Sequence, residues 1–173
     1  MRRVKQKIRV NMPKFSVLVC DRQSLAAAGL RWILNNTKDF RFVDGVQTLT
    51  AARELAQASL PSIVLIDYSF GARLVAEWLC DFSMLGLPTA PVIWGRNVGE
   101  VEAVQLLRVG ARGILPRTAE VADLLECLRT VVAGNPWLSD SLFGETTDRC
   151  LAPRPDLPLT SQEPTLARFS LPM

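Results

Sequence analysis

Histidine is absent from this chain, and with it the side chain that most often serves as general base near neutral pH. Triad hydrolysis and phosphotransfer through a histidine of the chain's own are therefore poor readings. Cysteine is scarce: Cys20, Cys80, Cys127 and Cys150 are widely spaced, form no CxxC pair and have no histidine to help them. A zinc site or a disulfide framework is not expected from such a set. Neither GxGxxG nor GxxxxGK[ST] occurs, which removes the common glycine-rich phosphate loops. No apolar run approaches the roughly 20 residues that span a bilayer. The basic start is followed only by Val10-Asn11-Met12-Pro13, too little for a secretory signal. A cytoplasmic, non-enzymatic protein without a membrane segment is the expectation.

What remains is a chain of 173 residues, 49% apolar, long enough to bury one substantial core and little more. Its net charge of +3 is unevenly placed. Residues 1–14 hold six basic residues and no acidic one, whereas residues 15–142 hold 11 basic and 13 acidic, a net of −2. The sequence thus reads as a basic arm, 1–13, ahead of a nearly neutral body. Such an arm can touch phosphates or an acidic partner, although most such arms are simply solvated.

Hydrophobic patterning gives the body its order. Phe15 to Cys20 reads as a buried strand, and Ser24 is placed to cap a helix through about Asn35. That helix draws its apolar surface from Leu25, Ala28, Leu30, Trp32, Ile33 and Leu34. Strands are expected over Phe40–Val46, Ile63–Ile66, Val92–Trp94 and Arg112–Leu115. Helices are expected after Thr48 or Thr50, over 72–82 with Leu74 in its apolar set, from Gly99 to Arg108, and from Ala119 to Ala133. Five apolar strands alternating with five helices predict an α/β fold, a doubly wound five-stranded parallel sheet covered on both faces. After Leu142 the periodicity stops. Pro153, Pro155, Pro158, Pro164 and Pro172 mark residues 143–173 as a proline-rich linker or tail.

The pieces Val17-Leu18-Val19-Cys20-Asp21, Pro61-Ser62-Ile63-Val64-Leu65-Ile66-Asp67, Pro91-Val92-Ile93 and Gly110-Ala111-Arg112-Gly113-Ile114-Leu115 stand in a telling order. In that order they resemble the receiver domain of two-component response regulators, the flavodoxin-like (βα)5 fold, especially regulators with a LuxR-type output domain. The resemblance covers roughly residues 14–142. It implies that Asp67 matches the phosphoacceptor, a carboxylate that takes a phosphoryl group from a kinase histidine. Two upstream acids would help hold Mg²⁺, a hard cation that prefers oxygen ligands. A hydroxyl and a lysine would engage the new phosphate and reshape the face of the fourth helix and fifth strand.

The same resemblance exposes a damaged site. Asp21 matches the first acid, but Arg22 stands where the second belongs. Gly95 replaces the switching Thr or Ser. Arg117 replaces the lysine and offers a planar fork where a compact ammonium is expected. Pro116 stiffens the loop before it, Gly71 replaces a common proline, and Trp94 is bulkier than the usual residue. Three readings follow. Asp67 pairs with Arg22 or Arg117 as a structural ion pair; or Asp67 is still phosphorylated with Mg²⁺ held by Asp21 and Asp67; or Arg22, Arg96 and Arg117 bind an anion. On the first reading no cofactor is required.

A receiver without that chemistry can still bind proteins. The helix 4–strand 5–helix 5 face, with Leu107, Arg108, Ile114, Leu124, Leu128 and Trp137, is the expected surface for a homodimer or a protein partner, in signal transduction or transcriptional control. Leu159-Thr160-Ser161-Gln162-Glu163 resembles the opening of a LuxR-type DNA-binding domain, but no recognition helix follows. Direct sequence-specific DNA binding is therefore not expected of this chain.

Overall fold

The computed structural model describes residues 14–139. The basic arm 1–13, the tail 143–173 and the LuxR-like stretch Leu159–Glu163 lie outside the described residues.

Strand β1 (Phe15–Cys20), helix α1 (Ser24–Asn35), β2 (Phe40–Val46), α2 (Leu49–Ser59) and β3 (Ile63–Asp67) form the first half. A single 3-10 turn, Tyr68–Phe70, leads into α3 (Ala72–Ser83). Then follow β4 (Ala90–Gly95), α4 (Glu100–Arg108), β5 (Gly113–Pro116), α5 (Val121–Val132) and a two-residue β6 (Trp137–Leu138). All strand pairs are parallel, in the order β2-β1-β3-β4-β5-β6. The expectation of five strands is corrected to six. Trp137 and Leu138 pair with Gly113 and Ile114, because the chain turns back along β5 after α5 and gives its free edge a partner.

Period-two alternation in the strands sorts the core into two layers. Leu18, Cys20, Val64 and Ile66 face the layer that includes Ala52, Val75, Leu79 and Leu106 from α2, α3 and α4. Val17, Val19, Ile63 and Leu65 face Leu30, Leu34, Leu124 and Leu128 from α1 and α5. Trp78 stacks on Phe82 at 4.4 Å and donates its indole N–H to the Leu49 carbonyl at 2.8 Å, so its one polar atom is satisfied inside the core. No helix among the described residues is long and apolar enough to cross a membrane.

Side-chain capping sets only some of the helix starts. Thr48 caps α2 by accepting from the Ala51 amide, as its position suggested. Ser24 does not cap α1. It is the first helical residue, and Gln23 before it is the cap, without a side-chain bond to the helix. Leu25, Trp32 and Leu74, expected to feed the core, are exposed. Helical spacing put them next to apolar neighbours, but Leu30 and Leu34 already define the inward stripe of α1, and Val75, Leu79 and Phe82 that of α3.

The strand order reverses between β1 and β3, the place where open α/β sheets keep their crevice. Cys20 and Ile66 are in register there, as are Asp67 and Trp94 on the next pair and Gly95 and Pro116 on the one after. Asp21, Asp67 and Arg117 therefore leave the carboxyl ends of three strands toward one point.

Candidate functional site

Asp67 closes β3 and Asp21 follows β1, both fully interior. Two carboxylates at such a place repel one another and lose hydration. Arg117, at the end of β5, compensates both. Its Nη2 donates to Asp21 Oδ2 at 2.7 Å, and its Nη1 lies 2.8 Å from Asp67 Oδ1. The guanidinium is 14% exposed and sits over the Trp94 ring, 4.6 Å from its centroid. A planar cation on an aromatic face with two forked anions is an arrangement that arginine can fill and lysine cannot.

The remaining lone pairs are taken locally. Asp21 Oδ1 accepts from the Gln23 amide at 2.7 Å. Asp67 Oδ1 accepts from the Ser69 amide at 3.1 Å, and its Oδ2 accepts from the Ser69 hydroxyl. Burial pushes the Asp21 carboxyl up from its ordinary value, against the Gln23 amide, while the Asp67 charge adds to the rise and Arg117 opposes it. Burial, with the two carboxylates adding, also pushes the neighbouring Cys20 thiol up to about 12, so it stays protonated and inert.

Gly95 has a steric cause. A Cβ placed on it would lie 2.3 Å from the Tyr68 Cβ, closer than non-bonded carbons approach. Tyr68 fills the space that a Thr or Ser side chain would need. Its phenol oxygen is buried with no hydrogen-bond partner. Burial raises its pKa first and the Glu102 carboxylate second, yet Glu102 is engaged with the Gly99 amide at 2.9 Å and does not meet the phenol at bonding geometry. Gly71 is equally constrained: its φ of +104° lies outside what the proline ring permits.

These interactions sort the expected site residues. Asp21, Asp67 and Arg117 come together; Gly95 stands beside them, closed off by Tyr68. Arg22 does not join. It is exposed and makes no ion pair among the described residues, because the chain turns at Asp21-Arg22-Gln23 and points Asp21 inward. Of the two pairings left open for Asp67, the geometry is that with Arg117. Arg96 and Arg117 border a shallow cavity of about 220 Å³ with Gln23, Asp67, Tyr68 and Ser69, which Arg22 does not line. Sequence reasoning missed Gln23, Ser69 and Tyr68. The readable signal was a swap in concert: a bulky Trp94 next to Gly95, with arginine in place of lysine.

Mg²⁺ does not fit this set of donors. The oxygens that would ligate it, Asp21 Oδ2 and Asp67 Oδ1, are the ones bound to Arg117, and Arg22, exposed and outside the cluster, supplies no oxygen ligand. Among the described residues no group of three or more His, Cys, Asp or Glu side chains is placed to hold a metal ion.

Comparison with known proteins agrees with the topology. No family model matches the sequence. The probable transcriptional regulatory protein NarL of Mycobacterium tuberculosis is 30% identical over 156 residues, covering 87% of this chain and 71% of that protein. This chain belongs to the LuxR/NarL-type response regulators. Its described part is their receiver domain. The nitrate/nitrite response regulator NarL of Escherichia coli K12 is 25% identical over 132 residues, 76% of this chain and 61% of that relative, so the receiver chain spans about three-fifths of it. Among solved structures, a LuxR-family two-component response regulator from Aurantimonas sp. SI85-9A1 superposes with a TM-score of 0.70 at 17% identity, covering 79% of this chain and 97% of that one. The receiver domain of NarL from Mycobacterium tuberculosis gives 0.64 at 23% identity, covering 70% and 98%. At those identities the structural likeness speaks for the fold alone.

The receiver's α4–β5–α5 face is present, but its expected members divide. Ile114, Leu124 and Leu128 are buried, and Trp137 is half-buried against the core beside α5. Ile114, Leu124 and Leu128 lie in the sheet and on the inward stripe of α5 and chiefly hold the receiver together, whereas Trp137 keeps part of its surface open. Leu107 is half-buried and Arg108 exposed, and Val101 and Val104 add the apolar groups that face outward.

Proposed function

We propose that this receiver signals without an aspartyl-phosphate cycle, as a cytoplasmic protein-interaction or dimerisation module in signal transduction or transcriptional control. The observation that carries the reading is the Arg117 bridge. Phosphoryl transfer needs a free Asp67 oxygen as nucleophile and a cation to offset charge on the transferring group. Here both Asp67 oxygens already accept hydrogen bonds, and the shared cation is a guanidinium fixed to the protein. The step after transfer is also unsupported, since Tyr68 occupies the place of the switching hydroxyl beside Gly95.

On this reading residues 14–142 are the working receiver unit, with the basic arm 1–13 and the proline-rich segment 143–173 as appendages. Val101, Val104, Leu107 and Arg108 are its partner-binding residues on α4, and no base-specific DNA contact is assigned to the receiver itself.

The test is intact mass after incubation with Mg²⁺ and a small phosphodonor, beside an Asp67→Asn control. An unchanged mass in the folded parent at long times is the expected result. Gain of one phosphoryl group in the parent alone would restore the alternative, a working phosphoacceptor on Asp67 with Mg²⁺.

A further inference from the structure

Trp94 carries a donor that the fold leaves unused: its indole N–H is buried and has no hydrogen-bond partner among the described residues. Buried polar groups are nearly always bonded, so one that is not calls for a physical account. Trp94 also walls a pocket of about 160 Å³ between α1 and the start of α5, whose other walls are largely apolar, Leu30, Ile33 and Leu124 among them. On α1 the pocket follows Gly29, Leu30 and Ile33, the spacing of one helical stripe.

Gly29 keeps that stripe open. Glycine weakens a helix relative to alanine, and the chain's own packing does not require it, because a Cβ built there meets no atom within 4 Å. A larger residue would take up space in the pocket that Gly29 lines. At this volume the pocket admits a molecule of about one six-membered ring. Charge narrows the class further. Glu120 stands exposed at the rim, while Arg117, in the wall, is already bound to Asp21 and Asp67. An anion would meet Glu120 with no free counter-charge, and a cation would lie against the Arg117 guanidinium. An uncharged molecule meets neither cost, and an acceptor oxygen on it supplies the bond that the Trp94 N–H lacks.

We infer that this pocket binds a small uncharged molecule, ring-sized and mostly apolar, whose acceptor oxygen takes the Trp94 N–H. The inference is independent of whether Asp67 takes phosphate. The pocket shares Trp94 and Arg117 with the bridged acids, so an occupant sits against the two side chains that hold the carboxyl edge together.

Nuclear magnetic resonance of the isotope-labelled full chain tests it, with acetophenone as a probe that carries the acceptor and α-methylstyrene as an isostere that lacks it. The chain's four tryptophans give four indole N–H signals, and Trp94→Phe identifies one of them by its loss. Saturable shifts are expected with both probes, and a downfield shift of the Trp94 indole proton with acetophenone alone. Trp94→Phe should weaken acetophenone roughly fivefold more than α-methylstyrene, the net contribution of one hydrogen bond. Gly29→Leu, a better helix former whose folding is checked by circular dichroism, should abolish binding of both. No saturable shift with either probe overturns the inference. So does binding that survives in the folded Gly29→Leu protein, which would place it elsewhere. Equal weakening of the two probes in Trp94→Phe overturns the assignment of the acceptor.

Discussion

The carboxyl edge of the sheet and the outer face of α1 invert what each is expected to supply. At the edge, the two acids are engaged inside the molecule: Arg117 joins Asp21 and Asp67, Trp94 covers the guanidinium, and Ser69 and Gln23 take the spare lone pairs. On α1, apolar groups that a helix normally buries are left largely exposed, and Gly29 keeps an open space between them. A residue's unused bonding capacity, more than its chemical type, shows where a protein can still act. By that measure the acids at the carboxyl edge are engaged and the outer face is open.

The largest expected effect breaks the closed side. Arg117→Ala leaves two buried carboxylates without a counter-charge, which should cost about 3–5 kcal/mol in urea denaturation at neutral pH. The loss should shrink in acid, where protonation removes the stranded charge. A small cost at neutral pH would mean the bridge contributes little and the edge is looser than its geometry implies.

Gly95→Thr drives a side chain into Tyr68 and should cost about 1–3 kcal/mol, the usual range for overpacking. Combining it with Tyr68→Gly, which removes the Cβ standing in the way, should recover part of that loss relative to Tyr68→Gly alone, a coupling read from a double-mutant cycle. Additive costs would show that Tyr68 does not hold that space.

Asp21→Asn should act in the opposite sense. The folded-state pKa of Asp21 is raised, chiefly by burial, so the fold binds this proton more tightly than the unfolded chain does. Its contribution favours folding fully below the ordinary carboxyl value of 3.8 and is lost as pH rises through the folded value. The amide variant should therefore be the more stable protein at neutral pH, with the advantage vanishing in acid. Denaturation midpoints across that range check the sign.

The smallest effect belongs to the open side. Trp32→Ala should change stability by no more than about 0.5 kcal/mol in urea denaturation, because an exposed side chain loses few contacts. A larger change would mean that Trp32 packs within its own chain.

Much of the fold was legible because strand and helix periods differ and the strands are almost wholly apolar. β1, β2 and α1 match their expected ranges, and Thr48 caps α2 as its position suggested. The sixth strand was not legible: two residues carry no period, and Trp137-Leu138 becomes a strand only because β5 offers an unpaired edge. Nor was the inward stripe of α1, since Leu25, Trp32 and Leu30 are equally apolar in one dimension. The site was legible as a set of departures, Arg22, Gly95 and Arg117, but not as a division of labour among them. Arg22 and Arg117 are the same residue type, and distance alone separates the exposed one from the one bound to both acids.

By itself the sequence determined the parallel α/β order, the absence of histidine chemistry and the gathering of Asp21, Asp67 and Arg117 at one edge. All three follow from composition and from where apolar runs end. Only the tertiary structure decided which arginine neutralises the acids, that Tyr68 excludes a side chain at Gly95, and that Leu25 and Trp32 face outward around an open notch. Those outcomes depend on distances of a few ångströms between residues far apart in the chain, and packing, charge pairing and steric exclusion act at that range.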